Sequence, residues 1–99
     1  MNTHEASDII QDLTFTFVST LIKNTKSELK LPIKFMDIYI EACRERGHNE
    51  NKEESNLEIR HRVRDNLLNN GYIFVDPMDV DSIYLTQRAL NEFSNISNR

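Results

Sequence analysis

Apolar side chains recur along this chain with two different periods, and the change from one to the other organises it. Over residues 7–24, Ile10, Leu13, Phe17 and Leu21 fall three to four apart, with Ile9, Val18 and Ile22 beside them. That spacing predicts a helix with Ser7 or Asp8 as its N-cap. Leu13, Phe15 and Phe17 also alternate with threonines as in a strand, but the length of the periodic stretch favours the helix. A polar connector, NTKSELK, leads to Leu31-Pro32, where proline suits the first turn of a second helix over 32–46. Phe35, Met36, Tyr39, Ile40, Ala42 and Cys43, widened by Ile33 and Ile38, spread over a broad arc of that helix. A helix so apolar is expected to be central, covered on more than one side. Gly47, following Arg44 and Arg46, predicts a left-handed stop with cations near the negative end of the helix.

The next nine residues, HNENKEESN, hold no apolar side chain, which predicts a solvated loop or one marginal helical turn. From Leu57 the helical period resumes. Ile59, Val63 and Leu67 form one stripe flanked by Leu57 and Leu68, and the run ends at Asn69-Asn70-Gly71. Tyr72-Ile73-Phe74-Val75 and Ser82-Ile83-Tyr84-Leu85 are rich in aromatic and β-branched residues and are separated by turn formers around Asp76-Pro77, which predicts a hairpin. Thr86 then caps a last helix whose apolar positions are Ala89, Leu90, Phe93 and Ile96. The expected class is α+β, mostly α, as a single domain over residues 1–99, with an N-terminal helix and a core over 32–94.

The stretches VRDNLLNNGYIFVDP and IYLTQRALNEF resemble the winged-helix region of MarR-type and PadR-type bacterial transcriptional regulators. There a recognition helix ends in Leu-x-x-x-Gly-Tyr/Leu-Ile/Val, a wing follows, and Leu-Thr opens the next helix. The corresponding residues here are Leu67, Gly71, Tyr72, Ile73, Leu85 and Thr86. The likeness extends over roughly residues 33–94. It implies a three-helix core, a two-stranded hairpin wing and a C-terminal helix. It further implies that the helix over 57–70 enters a DNA major groove while the wing touches the backbone beside it.

Composition narrows the field. A chain of 99 residues with 38% hydrophobic and 28% charged positions has enough apolar material for one core and too little for two. Its formal charge is −4, and its basic residues are spread along the chain with no polyelectrolyte tail, so overall attraction to phosphate is not expected. The lone Cys43 cannot form an internal disulfide and is read as a buried core residue, and the start lacks a signal-peptide pattern. No apolar run approaches the ~20 residues a membrane helix needs. These features point to the cytoplasm and away from a membrane. No glycine-rich phosphate loop, nucleophile elbow or metal-ligand spacing involving His4, Cys43, His48 or His61 is present, so neither catalysis nor a cofactor or metal is expected.

Arg60-His61-Arg62-Val63-Arg64 is the one concentrated basic stretch. With Val63 facing the core, Arg62 and Arg64 lie about 100° to either side, Arg60 leans toward the core edge and His61 points outward, so the cations are not expected to converge. One reading is a solvated face on which Glu58 pairs with Arg62 and Arg64 with nearby acids. The other is DNA contact, with Arg62 and His61 facing the major groove and Arg60, Arg64 and Lys52 on phosphates. Against DNA stand residues 48–56, which lack an apolar face for a positioning helix, and a wing tip with Asp76, Asp79 and Asp81 but no cation. The rival is therefore an acidic winged-helix module that binds a basic protein, such as an immunity, anti-restriction or complex-assembly factor. The first helix carries more apolar surface than one small core needs. Ile9, Leu13, Phe15, Phe17 and Val18, with Phe93 of the last helix, are thus expected at a homodimer interface, as terminal helices are in the regulators the chain resembles. The other reading is that the helix simply covers the three-helix core.

Overall fold

The structure, a computed structural model, describes residues 3–47 and 53–97. Helix α1 (Thr3–Thr25) is followed by a short strand β1 (Ile33–Lys34), helix α2 (Phe35–Glu45) and helix α3 (Glu53–Asn69). Strands β2 (Ile73–Asp76) and β3 (Asp79–Leu85) form a hairpin, and helix α4 (Gln87–Ser97) closes the chain. The fold is α+β and mostly helical, with one antiparallel sheet in the order β1-β3-β2.

Helix α1 settles the contest between helix and strand. Two of its buried threonines satisfy their hydroxyls inside the helix, Thr14 donating to the Ile10 carbonyl at 2.6 Å and Thr25 to the Leu21 carbonyl at 2.8 Å. The third, Thr20, donates across to Glu45 of α2 at 3.5 Å. The helix runs straight through Ser7 and Asp8, so neither caps it. It is α1, not α2, that lies at the centre, because it packs against α2, α3, α4 and β3. Leu13, Phe17, Val18 and Leu21 are fully buried there, each worth roughly 1.5–3 kcal/mol over exposure. Helix α2 instead buries one face, Phe35, Ile38, Tyr39, Ala42 and Cys43, and leaves Met36 exposed.

Pro32 does not open a helix. The two residues after it extend as β1, where Ile33 pairs with Ile83 and Lys34 with Ser82, and α2 begins only at Phe35. The third strand was not expected, since two residues are too few to show a period. Likewise α3 starts four residues before Leu57, so residues 53–56 are its first turn; residues 48–52 lie outside the described ones. The hairpin turn is shorter than its composition suggested. Asp76 faces Asp79 across Pro77-Met78, with a register shift between Val75 and Asp76, and Val80 and Asp81 belong to β3.

The expected breaks are in place. Gly47 and Gly71 both have positive φ, +75° and +71°. After α3, the Tyr72 amide donates to the Leu67 carbonyl and the Gly71 amide to the Leu68 carbonyl, the paired bonds of a Schellman motif. Thr86 caps α4 by accepting the Ala89 amide at 3.2 Å, and its hydroxyl donates to the Gly71 carbonyl at 2.6 Å. One side chain thus ties the end of α3 to the start of α4 and fixes the hairpin between them.

Candidate functional site

Three distant segments meet in an open groove of about 610 Å³. One wall is the end of β1 and the first turn of α2, from Lys34 to Asp37. A second is α3, through Arg60, His61 and Arg64; the third is β3, through Val80 and Asp81. The chain reaches this arrangement because Val63 and Leu67 are buried toward α1, which turns the neighbouring stripe of α3 toward α2 and the hairpin.

Arg60 and Arg64 are four apart and so share a helical face, and His61 joins them at its edge. The expectation that the cations diverge holds only for Arg62. That side chain lies outside the groove and pairs with Glu58 at 3.2 Å, both ends being well exposed, so the pair contributes little stability. Among the described residues Arg64 pairs with no acid. Its guanidinium lies over the Phe35 ring, 4.9 Å from the centroid, and donates to the Val80 carbonyl at 2.7 Å. Among the described residues, Arg60 and His61 have no ion-pair partner. Lys52 lies outside the described residues, as do His48 and the side chains of His4 and Ile96.

The acidic hairpin tip is less repulsive than its composition suggested, because β1 brings a cation to it. Lys34 donates to Asp79 at 2.6 Å, and Asp79 also accepts the Ser82 hydroxyl and the Asp81 amide. The lysine is the chief cause that holds the Asp79 carboxyl down at about 2, helped by those two bonds. Asp79 in turn raises the Lys34 ammonium. Asp76 accepts the Tyr84 hydroxyl at 3.1 Å and the Met78 amide at 2.8 Å. Among the described residues only Asp37 and Asp81 place carboxylates in the groove itself.

No protein-family model, curated protein or solved structure matches this chain. The site is therefore read from its own chemistry. Basic groups, an aromatic floor and the uncapped first turn of α2 make a surface suited to an anion. Among the described residues no three His, Cys, Asp or Glu side chains gather as metal ligands, and no helix is long and apolar enough to cross a membrane.

Of the residues expected at a dimer face, four are buried within the chain and two are not. Leu13, Phe17, Val18 and Phe93 are buried within the single chain, because α2, α3 and α4 already cover the apolar circumference of α1. Phe15 stands out, 47% exposed against Phe93 at 5.8 Å, and Ile9 is half-buried. Cys43 is buried as expected. Beside it the Tyr39 hydroxyl is buried, and burial pushes its pKa up, with Cys43 adding to the rise and the Arg60 charge opposing it.

Proposed function

We propose that this chain is a winged-helix protein that binds duplex DNA in the cytoplasm as a regulator without catalytic activity. The order of elements supports the reading. A helix, a short strand, two helices and a hairpin whose second strand pairs with the first short strand are the parts a wing needs beside a recognition helix. In that layout α2 is the positioning helix, so residues 48–56 are not needed for one. Helix α3 would enter the major groove, the hairpin would follow the backbone, and the first turn of α2 would face a phosphate.

The observation that carries the proposal is the meeting of Arg60, His61 and Arg64 with the first turn of α2 and the hairpin on one surface of an acidic chain. Fluorescence anisotropy with a random-sequence duplex tests it. Retention at ~50 mM salt that falls steeply as salt rises is expected; no retention at that salt overturns it.

A second reading has its own support. Met78, Val80 and Phe74 are 91, 66 and 58% exposed along one hairpin, an apolar display that suits a protein partner better than phosphates. With a formal charge of −4, that partner would be basic. Binding to such a partner that is lost on Met78→Asp, in a chain that does not retain duplex, would decide for this reading.

A further inference from the structure

We infer that the groove between α2, α3 and β3 is a seat for a phosphate ester, held by Arg60 and His61 from α3, with the body of the ligand against Phe35, Met36 and Val80. The proposal rests on the groove's own geometry, and the nucleic-acid reading above supplies only one of two sources for the ligand. A backbone phosphate of a bound strand and a free phosphorylated small molecule share the chemistry.

Charge placement comes first. Three cations and a histidine line the groove against two carboxylates, Asp37 and Asp81, in a chain that is acidic as a whole. The cations are not equivalent. Lys34 is neutralised by Asp79. Arg64 lies over the Phe35 ring and donates to the Val80 carbonyl, and among the described residues no carboxylate is within salt-bridge reach of it. Among the described residues Arg60 and His61 have no hydrogen-bond or ion-pair partner; the Arg60 charge bears on the buried Tyr39 hydroxyl, and both side chains line the groove where a ligand would meet them. A guanidinium not held in an ion pair is the group best suited to grip phosphate oxygens in a fork.

Size and lining then set the class of ligand. A groove of about 610 Å³ falls in the range of small-molecule sites and is far roomier than a bare inorganic ion requires. Phe35, Met36 and Val80 give it apolar walls beside the basic end. A phosphate carried on an organic body, such as one nucleotide unit, fits both halves. The carboxylates of Asp37 and Asp81 also line the groove and oppose additional negative charge there, which favours a monoester or diester over a polyphosphate.

The test uses amide and side-chain NMR of the whole chain with two probes, thymidine monophosphate and thymidine, at matched ionic strength, and a duplex of the same buffer history. Saturable shifts of Met36 and His61 with the monophosphate and none with thymidine are expected. Arg60→Ala should weaken that binding by at least about tenfold, and His61→Ala should weaken it too, so that the outcome does not hang on one variant. Arg62→Ala, whose side chain pairs with Glu58 outside the groove, should change it by less than about twofold.

Monophosphate binding without duplex binding supports the seat with a free small molecule as its source, and ends the DNA reading. Binding of both, with Arg60→Ala weakening both, supports the seat with a strand as its source. Duplex binding that ignores Arg60→Ala, with no saturable response to the monophosphate, overturns the seat and leaves the DNA reading standing. Equal responses to thymidine and its monophosphate also overturn it, and silence from every probe removes both proposals.

Discussion

Helices α1 and α3 leave by the same hydrogen-bonded turn but through different residues. After α1 the Ser27 amide donates to the Ile22 carbonyl at 3.1 Å and the Lys26 amide to the Lys23 carbonyl at 3.4 Å. After α3 the corresponding bonds are Tyr72 to Leu67 at 2.9 Å and Gly71 to Leu68 at 3.1 Å. The bonding pattern requires a left-handed residue in each turn. At α3 it is Gly71; at α1 it is Lys26, with Ser27 left-handed as well, at φ 52° and 66°. The hydrogen bonds dictate the backbone, and the residue sets only what that backbone costs.

The difference follows what comes next. Beyond Gly71 the chain must go directly into the core, where Tyr72 and Ile73 are buried, and it must deliver β3 to the rim of the groove. Beyond Lys26 the chain is an exposed connector before β1. Strain is tolerated where position matters little, and is absent where a residue's displacement would move the candidate site.

The largest break is expected at Thr86. Thr86→Val removes both the acceptor for the Ala89 amide and the donor to the Gly71 carbonyl, and should cost about 1–2 kcal/mol in chemical denaturation. Thr86→Ser keeps the hydroxyl and should recover most of it. Next comes Gly71→Ala. The added Cβ would sit 3.5 Å from the Arg88 Cδ, an ordinary contact, so the cost is backbone strain alone, about 1 kcal/mol; a loss well above that would point to a clash absent from the geometry. The smallest effect has the opposite sign. Lys26→Gly relieves a left-handed lysine but loosens the unfolded chain, leaving a gain of about 0.5 kcal/mol, read as a rise of roughly 2–4 °C in Tm. If Lys26→Gly destabilised the protein, the two turns would not be equivalent.

Much of this scaffold was legible in the chain. The stripe of Ile59, Val63 and Leu67, the helix stop at Gly71 and the cap at Thr86 are local signals, each produced by a few neighbouring residues and each present as expected. What could not be read depends on residues far apart. Strand β1 exists because Ile33 finds Ile83, fifty positions away, and Lys34 reaches Asp79 across forty-five. Two residues carry no period of their own, and Pro32 before them suggested a helix start. Helix α1 looked too apolar for one chain because nothing local reveals that α2, α3 and α4 all pack on it.

The candidate site was half legible. The i,i+4 spacing of Arg60 and Arg64 already places them on one face, although one precedes and the other follows Val63 in the chain. The aromatic partner of Arg64 and its acceptor in β3 come from other segments, and no local pattern announces them.

Arg64 acts as a tie-beam. Its guanidinium crosses from α3 over the Phe35 ring to a carbonyl on the hairpin, so one side chain spans the gap between helix and hairpin. A visitor wider than that span must first undo the tie, and a narrower one meets walls that do not need to close on it.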